Sequence, residues 1–111
     1  MTFSMTTQKK ENCTEIELQG EIDVYVSPDF KDKLFLACNE SINEVIIDLS
    51  QVSFMDSSGL ATLLEGLKWS KKKGKSFVLK NVSTNLMAIL SLSKLETVFK
   101  IISVNRKKYE N

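Results

Sequence analysis

The sequence predicts an α/β fold, a five-stranded mixed sheet with helices packed on it, in the order β-β-α-β-α-β-α-β. Three observations carry that prediction. Segments of alternating or β-branched apolar residues recur along the chain, and between them lie segments whose apolar residues repeat every three or four positions. No repeat, low-complexity tract or proline-rich linker divides the 111 residues, a length suited to one domain with one core. Strands alternating with helices imply mostly parallel pairing through right-handed crossovers. A single domain is expected over residues 1–111, with its core between about 2 and 103 and a polar tail over 104–111.

Thr14 to Gln19 alternates Ile16 and Leu18 with Glu15, Glu17 and Gln19, the pattern of a strand with one wet face. Thr2 to Thr6 reads as a preceding edge strand, Thr7 to Asn12 as the turn, and Gly20 as the end of the second strand. Ser27-Pro28-Asp29 has the form of a helix start, with Ser27 as N-cap, Pro28 in the first helical position and Asp29 at the positive end of the dipole. Phe30, Leu34, Ala37 and Cys38 share one helical face, and the helix should stop near Asn39. Val45, Ile46 and Ile47, consecutive and β-branched, suggest a central strand covered on both faces. A second helix begins near Ser57, with Leu60, Leu63, Leu64 and Leu67 on one face and Gly74 as a C-terminal cap after a lysine-rich last turn. Ser76 to Lys80 reads as a buried strand, Leu86, Ile89 and Leu90 mark a short third helix, and Val98 to Ile102 is the last strand.

Composition narrows the function. The net charge of +1 gives no bulk pull toward nucleic acid or acidic lipid, and no run reaches the length needed to span a bilayer. The polar start, Met1 to Lys10, is unlike a signal peptide, so a cytoplasmic location is expected, with both cysteines as reduced thiols. There is no histidine, which removes Ser-His-Asp and Cys-His chemistry and histidine-ligated zinc; no metal, cofactor or catalytic residue is expected. Lys68, Lys71, Lys72, Lys73 and Lys75 read as a solvated helix end more readily than as a nucleic-acid site. Gly74-Lys75-Ser76 resembles the end of a P-loop, but Trp69 stands where its first glycine is needed.

The most informative stretch is Ser53 to Leu60, S-F-M-D-S-S-G-L, where a strand feeds a helix. Two readings fit it. Asp56 and the serines are residues that cap helices, and Gly59 can serve packing alone. Alternatively, a serine presented there can carry a phosphate, which would meet the positive helix end and also the charge of Asp56.

D-S-S-G-L after an apolar strand, together with G-E-I-D at Gly20 to Asp23, Asp48-Leu49-Ser50 and V-S-F-M-D over Val52 to Asp56, resembles the anti-sigma factor antagonists of the STAS fold. The resemblance runs from about Thr2 to Ile102. It implies a non-enzymatic partner switch in which the unphosphorylated chain binds a serine-kinase anti-sigma factor and frees a sigma factor. Phosphorylation of Ser57 would switch it off and a serine phosphatase would reverse this. It implies a partner-binding surface of Asp56, Ser58 and Gly59, with Glu21 and Asp23 in the loop after the second strand. Val24-Tyr25-Val26 departs from the family pattern, and Tyr25 reads either as a contact residue or as a half-buried loop aromatic. A monomer is the simplest expectation. Two other functions compete: a constitutive STAS adaptor without a switch, and a small serine hydrolase, which would lack both a histidine base and a G-x-S-x-G elbow.

Overall fold

The computed structural model describes residues 3–40 and 43–102. Thr2 of the expected first strand and the C-terminal tail lie outside these residues. The elements are β1 (Ser4–Lys9), β2 (Cys13–Ile22), α1 (Ser27–Glu40), β3 (Glu44–Met55), α2 (Ser57–Lys72), β4 (Ser76–Lys80), α3 (Thr84–Leu92) and β5 (Lys100–Ile102). This is the order read from the sequence. The five strands lie side by side in sequence order; β1 pairs antiparallel with β2 and all other pairs are parallel. Three successive right-handed crossovers stepping in one direction place the three helices on one face of the sheet.

The core follows from that placement. Ile16, Leu18, Val45, Ile47, Leu49, Phe77 and Leu79 turn toward the helices and are buried against Phe30, Leu34, Leu63, Leu67, Leu86 and Leu90. The opposite face carries no helix and is only partly covered, which corrects the expectation that β3 is covered on both sides: Ile46 is half-buried, although its neighbour Val78 is buried. Glu15, Glu17 and Asp48 sit on this face, where Glu15 accepts from Lys80 at 2.6 Å and from Lys10 at 2.9 Å. These cations hold the Glu15 carboxyl below its usual range, Lys80 foremost.

Boundaries differ from the sequence where local pattern is weak. β1 runs on to Lys9, tied by the register from Ser4 opposite Gln19 to Lys9 opposite Thr14. β2 does not stop at Gly20. It continues to Ile22 through a register shift at Gly20, whose φ of 104° a side chain would resist. β5 starts two residues later than expected, after the buried Phe99.

After α2, Gly74 takes a φ of 71° while its N–H reaches Lys71 and that of Lys75 reaches Ser70 at 2.8 Å, a Schellman ending. The Lys75 ammonium then donates to the Cys38 and Asn39 carbonyls at the end of α1, so part of the lysine cluster closes a neighbouring helix. The same ending recurs after α3, with Lys94 at a φ of 60° in the place glycine usually takes.

Candidate functional site

All strands from β2 to β4 deliver their C-terminal ends to one edge of the sheet, where β2 and β3 run beyond β4 as a two-stranded extension. This brings the β2–α1 turn beside the start of α2. The Asp56 N–H donates to the Ile22 carbonyl at 3.1 Å, fixing the two chains to each other.

Asp56 is the N-cap of α2, with extended backbone at φ −94° and ψ −173°. Its Oδ1 accepts from the Ser58 hydroxyl at 2.6 Å, the Ser58 N–H at 2.9 Å and the Gly59 N–H at 3.3 Å. The Ser58 hydroxyl above all, with backbone N–H groups of Gly59, Ser58 and Val24, holds the Asp56 carboxyl below the usual aspartate range against a smaller opposing effect of burial. Capping is therefore a role that Asp56 fills in the free chain.

Ser57 is the first residue of α2 and is exposed; its hydroxyl has no hydrogen-bond partner among the described residues. Ser58 is half-buried, and its hydroxyl also lies 2.8 Å from the Ser27 hydroxyl. Gly59 faces inward. A Cβ there would lie 2.5 Å from Met55 Cγ, 2.9 Å from Ile22 Cγ2 and 3.2 Å from the Ile22 carbonyl. The expectation that Gly59 forms part of the outer surface is thus corrected: the glycine lets α2 start directly against β2 and β3.

On the neighbouring turn, Asp23 accepts from the Tyr25 N–H at 3.0 Å and the Val26 N–H at 3.3 Å, so its carboxylate closes its own turn. Glu21 is exposed but belongs to β2, because the strand continues past Gly20, and not to the loop. Tyr25 is 87% exposed, which excludes the half-buried alternative. Ser27 is not the N-cap of α1 in the sense expected. It is helical, buried, and donates its hydroxyl to the Asp23 carbonyl at 2.8 Å, while Asp23 satisfies the N–H groups ahead of the helix. Val24, noted in the sequence beside Tyr25, is exposed as well, whereas sequence reading passed over the exposed Phe54 as a site residue, which the register places beside Glu21 two residues before Asp56. The apolar pattern that makes β3 legible hides Phe54, since only the helix-free sheet face distinguishes it from Val52 and Met55.

The site is thus a narrow outer edge with one unengaged serine, a capped helix start and exposed apolar side chains at Val24, Tyr25 and Phe54. The sequence model of the STAS domain matches residues 4–107. The chain belongs to the STAS domain family. It is 32% identical over 101 residues to the anti-sigma-B factor antagonist of Bacillus subtilis, covering 91% of this chain and 92% of that one. It is 26% identical to the anti-sigma-B factor antagonist of Staphylococcus epidermidis, covering 91% and 94%. Among solved structures, an anti-sigma factor antagonist from Mycobacterium paratuberculosis superposes with a TM-score of 0.84 at 20% identity, covering 96% of this chain and 90% of that one. The phosphorylated form of the Bacillus cell fate determinant SpoIIAA does so with a TM-score of 0.70 at 20% identity, covering 98% and 97%. At these identities the structural matches establish the fold. Among the described residues, no helix is long and apolar enough to cross a membrane.

Proposed function

We propose that this STAS domain is an anti-sigma factor antagonist whose unphosphorylated form binds a serine-kinase anti-sigma factor and frees the sigma factor, and that phosphorylation of Ser57 by that kinase, with ATP, ends the binding. A serine phosphatase would restore the active form. The observation that carries the proposal is the state of Ser57: exposed, untethered and beside a fixed carboxylate, on a chain whose curated relatives are anti-sigma-B factor antagonists.

Phosphate on Ser57 adds about −1.5 to −2 charges at pH 7. A helix N-terminus normally welcomes such a charge through its unpaired N–H groups. Here Asp56 already takes the N–H groups of Ser58 and Gly59, so the favourable contribution is small and repulsion from Asp56 prevails. The charge would be introduced where a partner must also cover Tyr25 and Val24, so docking would bury it at a cost in desolvation. Loss of affinity needs no change of fold. On this view Tyr25, Val24 and Phe54 supply apolar contact, while Glu21, Asp23, Asp56 and Ser58 shape the polar part of the surface.

Incubation with ATP and each serine-kinase anti-sigma factor of the source genome tests this. The intact mass should rise by one phosphate in the wild type and not in Ser57→Ala. Stable binding of a partner with no phosphate added would instead favour a constitutive adaptor.

A further inference from the structure

We infer that Ser27 is a positioning residue that makes Ser57, and not its neighbour Ser58, the serine that accepts phosphate. This rests on the proposal that Ser57 is the phosphoacceptor and concerns how that site is kept selective.

Two adjacent serines begin α2, and the chain treats them differently. Ser58 Oγ belongs to an unbroken row of oxygens: the Asp23 carbonyl, Ser27 Oγ at 2.8 Å from it, Ser58 Oγ at a further 2.8 Å, and Asp56 Oδ1 at 2.6 Å. Two hydroxyl protons can serve only two of these three contacts at a time, because both ends of the row are acceptors. The shortest contact, to a carboxylate, takes the Ser58 proton. The Ser27 proton then goes to the Asp23 carbonyl or to Ser58. In either arrangement Asp56 holds the Ser58 proton and the Ser27 oxygen stands 2.8 Å from the Ser58 oxygen, donating to it only in the second.

Phosphoryl transfer demands the opposite. The acceptor oxygen must approach the γ-phosphorus of ATP in line. The new O–P bond forms as the bond to the β-phosphate oxygen breaks, ADP departs, and the serine proton passes to a base of the kinase. Ser57 is free to do this. Ser58 has its proton held by Asp56, and its other side faces Ser27, itself 7% exposed in the junction of α1 and α2. Ser27 is held there by its own N–H on the Asp23 carbonyl at 3.0 Å. An approach to Ser58 from the side of Ser27 requires displacing Ser27.

Ser57→Ala, Ser57→Ala with Ser27→Ala, and that pair with Ser58→Ala are compared with the wild type, using ATP and each serine-kinase anti-sigma factor of the source genome. Tandem mass spectrometry locates the phosphate. The wild type should carry one phosphate on Ser57, Ser57→Ala should carry no more than a trace on Ser58, and the double variant should carry about fivefold or more above that trace, the factor expected from one lost hydrogen bond. The triple variant should carry none. A merely structural role for Ser27 would leave the double variant without added phosphate on Ser58. Ser27→Cys, which keeps the volume but donates weakly, replaces Ser27→Ala should the latter lower the unfolding midpoint. Phosphate on Ser58 of Ser57→Ala at the wild-type rate, or a double variant as silent as Ser57→Ala beside a labelled wild type, overturns the inference alone. A wild type that takes no phosphate from any of these kinases overturns the phosphoacceptor proposal and the inference with it.

Discussion

Replacing Asp56 by alanine and, separately, by asparagine divides its capping role from its charge. Oδ1 receives the Ser58 hydroxyl at 2.6 Å and the N–H groups of Ser58 and Gly59 at 2.9 and 3.3 Å. Alanine removes this acceptor and leaves the N–H of the buried Gly59 unpaired. Loss of an N-cap oxygen costs about 0.5–2 kcal/mol, and the buried N–H places this case near 1.5 kcal/mol. With a urea m-value of about 1–3 kcal/mol/M, the unfolding midpoint should fall by about 0.5–1.5 M. Asparagine caps as well as aspartate does, so Asp56→Asn should lose only a few tenths of a kcal/mol at pH 7. The sign of the pH dependence follows from the lowered carboxyl pKa. Asp56 contributes stability that is present above its unfolded value of about 3.9 and is lost as pH falls through the folded value. Urea titrations from pH 8 to pH 3 should show the wild type's margin over Asp56→Asn constant down to about pH 5 and shrinking below about pH 4. A midpoint for Asp56→Ala within about 0.2 M of the wild type, or a margin that widens in acid, would show that the Asp56 carboxylate does not cap α2 as described.

The remaining expectations concern packing, charge and contact. Gly66→Ala puts a Cβ 2.9 Å from Leu34 Cδ2 and from two Phe77 ring atoms, and Gly59→Ala meets Met55 and Ile22. Each should lose about 1–2 kcal/mol by thermal unfolding, because overpacking exceeds the gain in helix propensity. Lys94→Gly should raise the unfolding midpoint by a few degrees, since glycine takes the φ of 60° without strain. Glu15→Gln removes the charge between Lys80 and Lys10 and should cost about 1 kcal/mol at pH 7. The Glu15 carboxyl is held below its usual range, so that loss should fade as pH falls below about 4, as followed by urea unfolding. Tyr25→Ala should leave the unfolding midpoint unchanged and weaken anti-sigma factor binding about tenfold or more by calorimetry.

The parts of the fold legible in the sequence were those with strong local periodicity. Ile16 and Leu18 against Glu15 and Glu17 mark β2, the leucines from Leu60 to Leu67 mark α2, and Phe77-Val78-Leu79 marks β4 with its observed bounds. β1 was placed too early because Thr6, Thr7 and Gln8 carry no apolar pattern; their strand exists through pairing with Glu17, Ile16 and Glu15 respectively. The continuation of β2 through Gly20 depends on a bulge against β3, which no short window contains. Likewise Lys94 ends α3 in a conformation that its residue type disfavours, imposed by the bonds that Lys94 and Leu95 return to Ser91 and Leu90. At the candidate site, D-S-S-G names residues but not their directions. That Ser57 points out, Ser58 toward Ser27 and Gly59 toward Ile22 is decided by the contact of α2 with the β2–α1 turn, between residues about thirty positions apart.

On the proposed function, one phosphate on Ser57 separates a binding form from a non-binding form. Isothermal titration calorimetry of the cognate serine-kinase anti-sigma factor, against the unphosphorylated chain and against the chain phosphorylated to completion on Ser57, tests it most directly. The unphosphorylated chain and Ser57→Ala should bind alike, and the phosphorylated chain should bind roughly a hundredfold more weakly or worse, a difference of about 3 kcal/mol. Equal affinity of the two forms would contradict the switch.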